Sequence, residues 1–136
     1  MTMPQAIRSA FARWCTFSGR AGGSEYWWFV LFGAIAFAFA GLLDHAVFGR
    51  YGLCWGICTL VFLTPYLAVA VRRLHDANRS GWWMLLVFVP LGNIVLSIWF
   101  CLPSTPGPNR FGPRPTPLVN VAPSNAADFI DLALRA

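Results

Sequence analysis

The stretch VRRLHDANRSGWW, Val71 to Trp83, gathers Arg72, Arg73, His75, Asp76 and Arg79 within thirteen residues. Such side chains move protons, pair with carboxylates or hold phosphate. Histidine is the natural proton carrier near neutral pH, which makes His75 the first candidate for acid–base work. Asp76 is its sequence neighbour, and adjacent residues on a helix point in different directions, so the two make no ready dyad. Asp76 lies four residues after Arg72, three after Arg73 and three before Arg79. One carboxylate can therefore serve several guanidiniums if the helix continues for a turn. The surplus of arginine over that one acid leaves room for an anionic ligand such as a lipid phosphate, which guanidinium grips bidentately.

Other chemistry is sparse. No nucleophile elbow, phosphate-binding glycine loop or HExxH motif occurs. Glu25, Asp44 and Asp76 do not by themselves argue for a catalytic carboxylate pair. Cys15, Cys54, Cys58 and Cys101 include no CxxC pair, and no nearby histidine or carboxylate completes a ligand set. Free cysteine is a small hydrophobe, and that is the reading adopted for all four. The expectation is no catalytic residue, no metal and no cofactor.

The elements that position these groups are apolar. Hydrophobic residues make up 57% of the 136-residue chain and charged residues 11%, against roughly 25% charged in a soluble protein. A small soluble domain has too much surface to cover with so few polar groups. Three uncharged runs stand out, at about residues 26–43, 51–71 and 81–102. Each is about 20 residues, enough for a helix to cross a hydrocarbon core of roughly 30 Å. Only a helix satisfies its own backbone over such a run in lipid. The sequence thus predicts an all-α integral membrane protein with three transmembrane helices. The first run is kept as an uncleaved span, because a long segment and acidic Glu25 precede it.

Three regions follow: an arm at 1–20, a three-helix membrane domain at 21–103, and a proline-rich mobile tail at 104–136. In the arm, Ile7, Phe11 and Trp14 share a helical face, with Ala10, Cys15 and Phe17 beside it and Arg8 and Arg13 among the polar residues at its margin or opposite. That pattern suits a short amphipathic helix in the headgroup plane or packed on the domain's own loops. Gly33, Ala36, Ala40 and Gly41 form a small-residue stripe in the first span, and Gly52 and Gly56 a GxxxG in the second, both suited to close helix packing. Pro65 and Pro90 interrupt the second and third runs, with Asn93 just beyond. Ser80 is a natural N-cap for the third helix, and Tyr26, Trp27, Trp28, Trp82 and Trp83 suit the membrane interface. A short helix capped by Ser124 could close the tail.

All ten basic residues are arginine, against five acids. They cluster at span ends and accompany no groove-reading module, which argues for lipid rather than nucleic acid as the partner. Arg8, Arg13, Arg20, Arg72, Arg73 and Arg79 share one side if there are three spans, and Arg50, Arg110 and Arg114 the other. The positive-inside rule then places the N-terminus in the cytoplasm and the tail outside.

FSGRAGGSEYWWFVLF, RRLHDANRSGWW and TPGPNRFGPRP, in that order and spacing, resemble the signatures of the domain-of-unknown-function family numbered 805, the YhaH-like small bacterial inner-membrane proteins. The resemblance covers most of residues 17–115. It implies an inner-membrane location and marks Gly19, Arg20, Glu25, Arg72, Arg73, His75, Asp76, Arg79, Ser80, Asn109, Arg110 and Gly112. It brings no established activity. Relatives usually carry basic residues where this chain has Gly22, Gly23 and Ser24, and an acid where it has Arg114. One tension remains. If NRFG and RRLHD form one site, a full third span between them is wrong, and a re-entrant segment bent at VPLGN (89–93) would be needed. The match of 81–102 to one span favours the full crossing.

The functional expectation is a non-enzymatic membrane protein binding anionic lipid headgroups or a membrane partner through Arg20, Glu25, Arg72, Arg73, His75, Asp76, Arg79, Asn109 and Arg110. An oligomeric transporter or channel component built around Pro65, Pro90 and Asn93 is the alternative. A lipid-headgroup enzyme using His75 comes third.

Overall fold

A computed structural model describes residues 1–47, 49 and 52–115. The expected C-terminal helix at Ser124, the rest of the tail beyond Pro115, and Arg50 lie outside the described residues.

Helix α1, Met3–Ala12, starts where Pro4 fits the first turn and the Thr2 amide donates to Gln5 Oε1 at 3.0 Å. It buries Ala6 and Ala10, whose small side chains allow close approach, and sets the Phe11 ring 5.8 Å from both Phe29 and Phe62. The inward face is thus centred on the alanines, while Trp14 and Phe17 stay exposed beyond the helix end.

Helices α2, Gly23–Val47, and α3, Leu53–Asp76, are 25 and 24 residues long, and both are apolar enough to cross a membrane. They pack along the small-residue stripe of α2. Ala40 is buried, Gly33 faces the Phe62 ring, and Gly41 faces Trp55. Phe62 is the centre of an aromatic core with Phe11, Phe29, Phe32 and Phe37, at ring separations of 5.5 to 5.8 Å. In contrast, no described atom lies within 4 Å of a Cβ added at Gly52 or Gly56, so among the described residues nothing packs closely on the GxxxG that begins α3. At that end, Asp44 of α2 accepts from the amides of Cys54 and Trp55 at 2.8 and 2.9 Å. A carboxylate from one helix therefore caps the next, satisfying donors that no helix can satisfy itself.

The third apolar run is not one helix, which corrects the expectation of three spans. Gly81–Phe88 forms a 3₁₀ helix started by Ser80, whose Oγ accepts from the Trp82 amide at 3.5 Å. The chain then reverses, and α4, Gly92–Cys101, runs back. Trp83, near the start of the first arm, stacks edge-on against Trp99, near the end of the second, at 5.3 Å. The reversal has local causes. Val89 precedes proline and is extended, which ends the first arm. Leu91 adopts a left-handed φ of 64°. Gly92 lies so close to the first arm that an added Cβ would sit 2.0 Å from the Leu86 carbonyl oxygen. Eight residues at about 2 Å rise and ten at about 1.5 Å give arms of roughly 15 Å, half of a hydrocarbon core. The turn closes its own backbone bonds, from Val89 N to Leu86 O, Gly92 N to Val89 O and Ile94 N to Leu91 O, as lipid requires.

Polarity is inverted relative to a soluble protein. Arg72 and Asp76 are fully buried, whereas Leu60, Trp82 and Phe88 are 77%, 80% and 82% exposed. In water such a surface would be an aggregation hazard; in lipid it is the solvent-facing side. Pro65 is buried within the bundle, while Pro90 and Asn93 are exposed at the hairpin turn, so the three do not line one cavity.

Candidate functional site

Because the third segment turns back, residues 103–115 return to the end of the bundle that holds α1 and the C-terminus of α3. The expectation that this part of the tail lies on the opposite side is therefore corrected. Two carboxylates organise the polar groups that meet there.

Asp76, fully buried, accepts from Arg20 Nε at 2.9 Å, from Arg73 Nη1, and from Ser104 Oγ. Arg20 reaches it from a segment 56 residues earlier. Its other donors meet the carbonyls of Thr105, Gly107 and Gly112 and the Thr105 hydroxyl. All five guanidinium protons are thus engaged. Arg73 also donates to the carbonyls of Phe100 and Leu102, closing off the end of α4.

Glu25, 3% exposed, is the second centre. Its Oε1 accepts from Arg72 Nη1 and Arg13 Nη2, each at 3.1 Å, and from Ser9 Oγ at 2.9 Å. Nε and Nη2 of Arg72 are buried and have no partner among the described residues. Two guanidiniums therefore share one carboxylate, and the cluster keeps an excess of positive charge.

The NRFG motif closes the assembly. Asn109 Nδ2 donates to the His75 carbonyl at 2.8 Å, and the Thr105 amide and hydroxyl donate to the Asp76 carbonyl at 3.1 and 2.9 Å. These are carbonyls that a helix end leaves without intrahelical partners. Asn109 and Gly112 exchange backbone bonds across a tight turn, with Gly112 at φ 127°. That turn presents Phe111, which stacks flat on His75 at 3.9 Å; His75 Nδ1 lies 3.1 Å from the Gly19 carbonyl.

The residues marked in the sequence divide accordingly. Arg20, Arg72, Arg73 and Asp76 are interior and ion-paired, with Glu25 beside them. Arg72 pairs with Glu25 and not with Asp76, and Arg79 sits over the Trp99 ring at 4.6 Å. Of the three arginines spaced to reach Asp76, only Arg73 does. Arg110 lies over Phe111 at the surface. Sequence reasoning missed the roles of Ser9 and Arg13 beneath Glu25, of Ser104 and Thr105 around Asp76, and of Phe111 against His75. The one available signal was the density of hydroxyl and amide residues in PSTPGPN, which is unusual straight after an apolar run.

A model of the family described as a protein of unknown function, DUF805, matches residues 14–113, which hold both carboxylates of this assembly and all of its parts except α1 with Ser9 and Arg13. The chain belongs to that family. It is 41% identical over 104 residues to the inner membrane protein YhaH of Escherichia coli strain K12, covering 73% of this chain and 86% of that protein. It is likewise 41% identical over 108 residues to the inner membrane protein YhaI of the same strain, covering 79% of this chain and 92% of the relative. No solved structure matches. With these relatives and two membrane-length helices, the DUF805 chain is an integral protein of the bacterial inner membrane.

Proposed function

We propose that the protein is a non-enzymatic inner-membrane protein whose arginine-rich end faces the cytoplasm and binds anionic lipid headgroups. The observation that carries this reading is the distribution of charge. All eight described arginines belong to the end built by α1, the C-terminus of α3 and the returning tail, against Glu25 and Asp76. The far end of the two long helices carries Asp44 and His45. The buried pairs give this end a fixed shape, and Arg8, Arg13, Arg79, Arg110 and Arg114 remain on its surface. Each arginine near a membrane surface attracts anionic lipid by about 1 kcal/mol. Two crossings with a re-entrant hairpin put the N-terminal arm and residues 103–115 on one side, and the positive-inside rule makes that side cytoplasmic.

The test uses the purified full chain in detergent with phosphatidylglycerol or phosphatidylcholine added, reading retained lipid by native mass spectrometry. Phosphatidylglycerol should be retained in preference and released as salt rises. Replacing Arg8, Arg79, Arg110 and Arg114 by Gln should weaken that preference. Equal retention of the two lipids by the wild-type chain would refute the reading.

A second reading, self-association in the membrane, is favoured by one observation: a Cβ added at Gly52 or Gly56 would meet no described atom within 4 Å, so both positions are open to close approach. Small residues let helices approach closely in lipid. A chain that remains monomeric in bilayer discs at every protein density would dismiss it.

A further inference from the structure

We propose that the protein holds one anionic phospholipid in a two-part site, with its phosphate in a polar cleft beneath the tail and an acyl chain along α2. This deepens the lipid-binding reading above and rests on it.

The polar part is a cleft of about 540 Å³ between the arm, the 19–25 turn and the end of the described tail. Arg13, Arg20, Glu25, Phe111 and Arg114 are among its walls. Three guanidiniums face one carboxylate. Glu25 is already shared between Arg13 and Arg72, and two Arg72 donors have no partner among the described residues. Positive charge in the cleft is therefore in excess. Arg20 contributes charge but no donor, because its protons are engaged. Arg13 and Arg114 are the groups whose position and exposure allow them to reach an incoming phosphate.

The apolar part is a groove of about 280 Å³ on the outer face of α2, formed by Gly23, Ser24, Trp27, Trp28 and Leu31. Positions 24, 27, 28 and 31 follow the helical repeat, so the groove runs along the helix axis. From Ser24 to Leu31 it descends about 10 Å, well into one leaflet. Trp27 and Trp28 mark the headgroup level, as interfacial tryptophans do. Ser24 borders both compartments. A charged cleft above the interface that continues into an apolar groove below it matches a single amphiphile. Inorganic phosphate would fill the upper half alone.

The probe is phosphatidylglycerol with a photoreactive acyl chain, doped into phosphatidylcholine discs holding the full-length protein. Cross-linked positions are read by peptide mass spectrometry. The proposal expects labelling concentrated on residues 27–31, competed by unlabelled phosphatidylglycerol far more strongly than by inorganic phosphate, which gains nothing from the groove. Arg114→Gln, on the exposed tail, should lower that labelling about fivefold, the effect of one surface arginine. Ser24→Trp, at the junction, should abolish it. His45→Gln, exposed at the far end of α2, should leave it unchanged. Labelling spread evenly around α2, or unchanged in both Arg114→Gln and Ser24→Trp, overturns the site. Competition by inorganic phosphate as strong as that by phosphatidylglycerol overturns the lipid as occupant. If phosphatidylglycerol is retained over phosphatidylcholine while the site fails, the broader reading stands. If the wild-type chain prefers neither lipid, both fall.

Discussion

Asp76→Asn is the sharpest probe of how this end of the protein is held together. The carboxylate is fully buried, and the two guanidiniums on it have side chains 1% and 3% exposed. An amide of the same size keeps the shape but removes the only counter-charge either arginine has among the described residues. Removing one partner of a buried ion pair costs about 3–5 kcal/mol, because the remaining charge stays desolvated. Arg20 would keep the carbonyls of Thr105 and Gly107, and Arg73 those of Phe100 and Leu102. Those retained bonds place the expectation near the lower end, at about 3 kcal/mol. The assay is reversible unfolding in mixed micelles followed by tryptophan fluorescence, with Arg20→Gln and the double variant completing a cycle. The double variant should cost about 1–3 kcal/mol less than the sum of the single ones, as for residues in one network. Released from Asp76, residues 103–115 should also become sensitive to added protease. A single variant within about 0.5 kcal/mol of wild type, or a coupling of zero, would mean that water screens the carboxylate, and the reasoning from burial would fail.

Four further outcomes follow from the geometry. Gly92→Ala places a Cβ against the Leu86 carbonyl, so the hairpin must open, and a thermal melt should show a loss exceeding about 3 kcal/mol. Leu91→Gly removes a left-handed leucine and should raise stability by about 1 kcal/mol in the same melt. Asp44→Ala leaves two amides of α3 without an acceptor and should cost about 1–2 kcal/mol, with the loss confirmed by faster amide exchange at Cys54 and Trp55. For sidedness, a reporter active only in the periplasm should work after Arg50 and be silent at Asn78 and after Pro115; activity after Pro115 would mean that the third segment crosses.

Much of the solvent relationship is written in the sequence. Long uncharged runs cannot be covered in water, so the membrane reading and the helical backbone follow from composition and run length alone. Local chemistry around single residues was equally legible: Ser80 caps the segment after it, and His75 and Asp76 face different neighbours. Arg73 meets Asp76 because three residues on a helix fix that distance. Tertiary structure decided the rest. A count of apolar residues cannot distinguish one arm of about 30 Å from two of about 15 Å, because both bury the same side chains in lipid. The difference lies in the left-handed turn at Leu91 and the close crossing at Gly92, and a close crossing is a contact, which spacing does not encode. Once the chain turns back there, the tail meets α3, and Arg20 meets an aspartate 56 residues away. The same return makes the RRLHD arginines interior supports. Arg72 is held by Glu25, and Arg73 by Asp76 and the carbonyls of Phe100 and Leu102, partners that spacing along the chain does not reveal except for the i,i+3 aspartate.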